Sequence, residues 1–229
     1  MFRRILILIL ILFSFSCSSG PSNNAKTDSP EMPAATSKAQ KEGMDHAASA
    51  DKKPSANEKF AVFAGGCFWC TEKDFESLSG VRDAVSGYTG GDEENPTYTQ
   101  VGRGLTGHTE AIKVYYDPDQ ISYSALVEKL WRSCDPTDND GQFVDRGHHY
   151  RPGIFYASDA EKEIAEKSKA ALQDSGRFSK PIVLKIEGLK TFWPAETYHQ
   201  DFYKKSPDRY YSYRKGSGRD AFIASHWKE

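Results

Sequence analysis

The chain is poor in sulfur, with 4 cysteines and 3 methionines among 229 residues. It has no excess of charge: 30 Lys and Arg stand against 32 Asp and Glu, so the basic footprint of a nucleic-acid binder is missing. It has no long apolar run at its start either. Ile5 to Phe13 is apolar for nine residues, too few to span a bilayer. A single Cys-x-x-C, at Cys67 and Cys70, has no second copy, and no tight His pair completes it, which disfavours a zinc site. The length allows one ordinary domain with extensions, or two small ones.

What is present divides into three. Arg3 and Arg4 precede the apolar run, and small residues follow it up to Cys17, as in a secretory signal. A cysteine placed there resembles a bacterial lipobox, in which Cys17 is lipidated and becomes the mature N-terminus. Ser14 departs from the aliphatic residue usual at that place, and a plain signal cut near Gly20 is the alternative. Residues 1–17 are therefore read as a secretory or lipoprotein signal region. Residues 18–57 are rich in Ser, Ala, Lys, Pro, Asp and Asn, with Met32 and Met44 the only large apolar side chains. Such a stretch buries too little surface to offset its ordering entropy, so it reads as a disordered linker. Residues 58–229 form the globular domain. At 13% aromatic residues for the whole chain, a compact core is within reach at 38% hydrophobic content.

Within that domain, apolar stretches and helical patterns mix without strict alternation, which favours α+β over a doubly wound sheet. Phe60 to Ala64 reads as a buried strand closed by Gly65-Gly66. A helix is expected from about Phe68, ended by Gly80. Val81 to Tyr88 and Glu110 to Tyr116 read as strands. Ser122 to Cys134 carries the clearest helical stripe, with Tyr123, Leu126, Val127, Leu130, Trp131 and Cys134 on one face. Gly153 to Ala157 reads as a strand. Ser158 and Glu161 predict a capping box opening a helix to about Asp174. Pro181 to Ile186 reads as a final strand. The aromatic, charged stretch after Leu189 lacks a sustained period and reads as an irregular segment wrapped on the core.

Cys67 stands between a Gly-Gly turn and a helix start, where unpaired backbone N–H groups favour a thiolate. Cys70 is one helical turn away, so a disulfide is feasible. A bridge closing so short a loop contributes little stability, which favours a redox role over a structural one. Cys134 reads as a core hydrophobe, with a resolving role the lesser alternative.

A set of motifs then makes a specific resemblance. Gly65-Gly66-Cys67-Phe68-Trp69-Cys70 is similar to the GCFW signature of the peptide methionine sulfoxide reductase A family. In the same order follow Gly87-Tyr88-Thr89-Gly90-Gly91, Asn95-Pro96-Thr97-Tyr98, Thr106-Gly107-His108-Thr109-Glu110, Tyr115-Tyr116-Asp117-Pro118 and Asp135-Pro136-Thr137. Gly141 to Gly147, Tyr150-Arg151 and Tyr198-His199-Gln200 complete it. The match runs through nearly all of residues 60–227. Cys134, His148-His149 and Pro152 depart from the more usual residues at their places.

The resemblance implies a ferredoxin-like two-layer sandwich, with a mixed sheet flanked by helices. It implies Cys67 as the nucleophile toward the sulfur of methionine-S-sulfoxide and Glu110 as the acid that meets the sulfoxide oxygen. Tyr88 and Tyr150 would hydrogen-bond that oxygen, Asp145 would orient the polar site, and Phe68 and Trp69 would line a slot for the S-methyl group. Cys67 would become a sulfenic acid, resolved by Cys70 to a disulfide that a thioredoxin-like donor reduces. No metal or prosthetic group is expected, and no nucleic acid. His199 is assigned a structural role and His148-His149 a solvated loop. A lipidated Cys17 would make the chain an extracytoplasmic, membrane-anchored enzyme, by default a monomer. Two rival readings are a thioredoxin-like disulfide oxidoreductase built on Cys67 and Cys70, and a binding lipoprotein with a structural disulfide.

Overall fold

A computed structural model describes residues 57–227. Cys17, the signal region and the linker up to residue 56 lie outside the described residues.

Six strands form the main sheet in the order β7-β6-β1-β3-β2-β8. They are β1 (Lys59–Ala64), β2 (Val81–Thr89), β3 (Thr109–Tyr116), β6 (Gly153–Tyr156), β7 (Lys185–Gly188) and β8 (Trp193–Pro194). A small hairpin, β4 (Gly141–Gln142) with β5 (Asp145–Arg146), stands apart. The inner four strands, β6-β1-β3-β2, are antiparallel; with the helices that follow β1 and β3 they make the expected ferredoxin-like core. β7 adds to β6 in parallel, which makes the sheet mixed. β1, the helix after it and β2 make a split βαβ unit, with β3 between the two parallel strands.

Strand periodicity sorts the apolar side chains onto two faces. Ala61, Phe63, Ala84, Ile112, Val114 and Ile154 face the helices α1 (Phe68–Glu76), α3 (Tyr123–Trp131) and α4 (Asp159–Asp174), which contribute Phe75, Leu126, Leu130, Trp131 and Ala165 to one core. Val62, Val85, Ala111, Tyr115 and Phe155 face the other way, under Phe192 and Leu189. Glu110, Ile112, Val114 and Tyr116 alternate along β3, so the fold itself turns Glu110 toward the helix side.

The expected boundaries shift in informative ways. The helix with the clear apolar stripe ends at Trp131, not Cys134, which is buried in the following turn. Ser158 caps α4 through the Glu161 N–H, but the Glu161 carboxylate accepts from Ala157 N–H at 2.7 Å, so the box closes one residue early. Residues 181–184 are not strand. Val183 and Leu184 N–H both donate to the Pro136 carbonyl, and pairing begins only at Lys185.

The stretch after Leu189 is the largest correction. It contains β8 and three helices: α5 (Phe202–Lys205), α6 (Pro207–Gly216) and α7 (Arg219–His226). Helix α2 (Tyr98–Gly102) is the remaining α-helix, and His148–Tyr150 form a 3-10 turn. Periodicity missed α6 and α7 because each buries a single described residue fully, Tyr210 and Arg219. Polar ties seat them instead: Arg214 on Asp74 at 2.8 Å, and Arg219 on the Ser133 carbonyl.

Candidate functional site

The site forms where β1 turns into α1. Gly66 has φ +85°, a conformation glycine adopts without strain, and a side chain there would collide with Gln142 at 2.6 Å. The turn delivers Cys67 to the N-cap of α1, where its carbonyl accepts from Cys70 and Thr71 N–H. The Cys67 side chain makes no capping bond. Capping is done from the sheet: Phe68 N–H donates to Oε2 of Glu110 at 2.9 Å. One hydrogen bond thus joins the nucleophile's turn to β3 and fixes Glu110 beside Cys67.

Burial sets the electrostatics. It raises the Glu110 carboxyl well above the usual carboxylate range, and the nearby Asp145 raises it further, against the Phe68 N–H. Burial therefore favours Glu110 as a carboxylic acid. Burial also pushes the Cys67 thiol up, and its hydrogen bond to Cys70 and the Glu110 and Asp145 carboxyls act the same way. The expectation of a resting Cys67 thiolate is corrected: the helix N-terminus is outweighed by desolvation and neighbouring acids. The Cys67 thiol donates to Cys70, which is shifted down by that bond and by Arg219 and Arg214. All three described cysteines are free thiols. Cys134 is not part of the pair. Its thiol donates to the Leu130 carbonyl, and burial pushes it up to about 12.

The tyrosines sort differently from expectation. Tyr150 faces Glu110 and Cys67, and the acid's proximity together with burial raises its hydroxyl. The Tyr88 hydroxyl, raised by burial and by Glu196 and Glu110, donates to Oε2 of Glu196 at 2.8 Å. That same carboxylate takes Tyr98 N–H on Oε1 at 2.9 Å, so Tyr88 anchors the start of α2. The hydroxyl that joins Tyr150 is that of Tyr98, with which it shares a hydrogen bond, facing Glu110 and Cys67. Sequence reading passed over Tyr98, although it lies in the quoted Asn95-Pro96-Thr97-Tyr98 motif. The signal was there, and the choice between two tyrosines required the loop's path.

Asp145 accepts a hydrogen bond from Tyr213 of α6, and burial raises its carboxyl. Trp69 stacks on Phe202 at 3.8 Å between ring centres and donates its indole N–H to Nδ1 of His199 at 3.0 Å. Phe68 lies beside His199, Tyr88 and Tyr98. Its side chain is almost wholly covered, so it forms the floor under Tyr98 rather than an open wall. His199 is buried among these rings. His148 is exposed, but His149 is buried against Tyr150 and is not a solvated residue.

The flanking motifs hold the loops. His108 accepts Gly91 N–H on Nδ1 at 3.3 Å and bonds the Glu93 carbonyl through Nε2 at 2.8 Å. Gln200 bonds both the N–H and the carbonyl of Ser86, in the manner of a strand partner. Among the described residues, one group of three potential metal-binding side chains occurs: Glu72, Glu76 and Asp201. The Lys204 ammonium already bridges Glu76 and Asp201 at 2.7 Å each.

Comparison with known proteins agrees with this geometry. The family model "Peptide methionine sulfoxide reductase" matches residues 59–229. A peptide methionine sulfoxide reductase MsrA of Listeria monocytogenes is 59% identical over 168 residues, covering 73% of this chain and 95% of that protein. One of Bacillus velezensis is 51% identical over 175 residues, covering 76% and 99%. The crystal structure of Mxr1 from Saccharomyces cerevisiae in reduced form superposes with a TM-score of 0.64 at 34% identity, over 68% of this chain and 90% of that one. Methionine sulfoxide reductase A of Corynebacterium diphtheriae gives 0.60 at 32% identity, over 67% and 77%. The chain belongs to the peptide methionine sulfoxide reductase A family.

Proposed function

We propose that the chain performs its family's reaction, reduction of methionine sulfoxide in the S configuration, with Cys67 as the nucleophile. The observation that carries this reading is the 2.9 Å bond from Phe68 N–H to Glu110, which holds a neutral buried acid beside the Cys67 thiol. The Cys67 sulfur adds to the sulfoxide sulfur while Glu110 gives its proton to the sulfoxide oxygen. Tyr98 and Tyr150 donate to the same oxygen in a site largely closed to water, where fixed donors act most strongly. The bond from oxygen to the methionine sulfur breaks, and the OH group ends on Cys67 as a sulfenic acid. The proton lost by Cys67 replaces the one Glu110 gave, and methionine leaves. Asp145, tied to Tyr213, orients the polar side, and Trp69 with Phe68 shapes the place of the S-methyl group. Tyr88 acts from behind, through Glu196.

Cys70 then attacks the Cys67 sulfur. A Cys67–Cys70 disulfide forms, the S–O bond breaks and water leaves. A thioredoxin-like dithiol returns the pair to thiols, and the chain works as a monomer. The N-terminal pattern supports a further reading that rests on sequence alone: Cys17 carries a lipid, and residues 18–57 tether the enzyme to an extracytoplasmic membrane face.

The test is turnover of separated S and R epimers of a methionine sulfoxide substrate with dithiothreitol. S-selective turnover by the wild type, lost in Cys67→Ser, is expected. Turnover of neither epimer would overturn the reading.

A further inference from the structure

Among the described residues, Arg219 is the one arginine with a fully buried side chain, at 1% exposure. It opens α7 and its side chain runs beneath the active-site turn. Nη1 donates to the Ser133 carbonyl. Nε and Nη2 have no hydrogen-bond partner among the described residues. Its guanidinium lies over the Phe143 ring, 4.7 Å from the ring centre. Nη2 comes so close to the turn that a methyl group on Gly66 would lie 3.0 Å from it. Among the described residues Arg219 has no ion-pair partner within salt-bridge distance, whereas Arg214, its neighbour in the fold, has Asp74 and Asp220 at 2.8 Å each.

A buried cation left without a paired anion is costly, and proteins rarely keep one without use. We propose that Arg219 is a positioning residue for the second half of the reaction: its guanidinium holds the negative charge on the Cys70 sulfur while Cys70 attacks oxidised Cys67. This inference rests on the proposed function above and adds a role to a residue that neither touches substrate nor reacts. Cys67–S–OH and the Cys70 thiolate give the disulfide and hydroxide, which takes a proton from Glu110 or solvent to leave as water. In this scheme the charge on Arg219 is paired while Cys70 is a thiolate and unpaired once the disulfide has formed.

Other groups face Cys70 and must be weighed. Cys67 donates a hydrogen bond to it, and Asp74 of α1 opposes its ionisation. Glu110 of β3 faces it too, with a carboxyl that burial holds toward its neutral form. Tyr210 and Tyr213 of α6 face it with hydroxyls that burial keeps protonated. Arg214 adds in the same sense as Arg219, but its charge is already shared with two carboxylates.

The experiment follows one turnover without reductant, with methionine-S-sulfoxide as the probe. Release of the first equivalent of methionine and loss of the second thiol are recorded across pH for wild type, Arg219→Met and Arg219→Lys. In Arg219→Met the first equivalent should still appear, while disulfide formation near neutral pH slows by about five- to tenfold. That factor follows from a smaller thiolate fraction partly offset by higher nucleophilicity. Its pH profile should move to higher pH, the sulfenic acid should persist long enough for a carbon nucleophile to trap it, and Arg219→Lys should restore most of the rate. Disulfide formation unchanged in rate and pH profile in Arg219→Met would overturn the proposal. If Arg219→Met does not fold, the alkylation rate of Cys70 against pH in Cys67→Ser decides. An apparent pKa below the ordinary thiol range supports the role, and one at or above it overturns it. Failure of the wild type to release any methionine would instead refute the proposed function.

Discussion

Trp69 and His199 are joined by a hydrogen bond of 3.0 Å from the indole N–H to Nδ1. An indole only donates, so Nδ1 must be the bare nitrogen and the imidazole is neutral, with its proton on Nε2. Burial agrees, lowering the ring to about 3. The pair links the second residue of α1 to the late Tyr198-His199-Gln200 motif, and through it the wall of the site to the last third of the chain.

Removing that link should show in stability and in binding together. His199→Ala leaves the indole N–H buried and unpaired, a loss of about 1–3 kcal/mol before any packing term. Denaturant unfolding measures it, and KM for the sulfoxide should rise more than kcat falls. The histidine also gives an acid sensitivity. Its folded value lies below the unfolded one, so the stability it contributes is complete above about pH 6.5 and is lost as pH falls toward 3. In a melting series from pH 7 to pH 4, His199→Phe should lose less than the wild type.

Glu110 should behave as an acid, not as a base. Glu110→Ala is expected to slow methionine release by roughly 10²–10⁴-fold, the range for a lost general acid. Glu110→Gln keeps a neutral partner at the α1 N-terminus and should fold as well as the wild type. Because the carboxyl is raised by burial, the rate of the first step should decline as this group ionises, at a pH above the ordinary carboxylate range. A rate that instead rises on ionisation of this group contradicts the assignment.

The two tyrosines separate cleanly. Tyr98→Phe removes a hydroxyl that faces Glu110 and Cys67, and should lower kcat/KM by about tenfold or more, as for a lost oxyanion donor. Tyr88→Phe removes a donor to Glu196. It should cost about 1 kcal/mol in stability, as for a hydrogen bond, and leave the first-step rate within a few-fold of wild type.

Glu72 should destabilise the fold in mild alkali. It is buried, accepts from Asp201 N–H and the Ser86 hydroxyl, and is raised to about 8. The folded state holds its proton where the unfolded state does not, so its contribution is complete below about pH 4.5 and is lost as pH rises toward 8. Melting temperatures recorded from pH 5 to pH 9 should fall less in Glu72→Gln than in the wild type.

The sequence made the sheet and the nucleophile's turn readable, because both are written locally. Strand alternation in β1 and β3 and the two glycines before Cys67 leave little choice. What stayed hidden is carried by single long-range polar contacts. Helices α6 and α7 have no apolar stripe, and nothing near Arg214 or Arg219 in sequence points to Asp74 or Ser133. Tyr88 and Tyr98 both sit in quoted motifs. Only the Glu196 carboxylate, about a hundred positions away, shows that the Tyr88 hydroxyl is bonded elsewhere than the Tyr98–Tyr150 pair. The thiolate expected at Cys67 failed for a related reason: the helix start is local, while Glu110 and Asp145 arrive from elsewhere.

The position of Tyr213 and Arg219 on the last two helices has a bearing on biogenesis. The cysteine turn emerges from the ribosome more than a hundred residues before the groups that brace Asp145 and underlie Gly66. A nascent chain short of α7 can already expose Cys67 to oxidants, with no assembled site to use or protect it. Competence arrives late, and a proteolytic nick in the Ser206–Gly218 stretch would silence the enzyme while sparing its sheet.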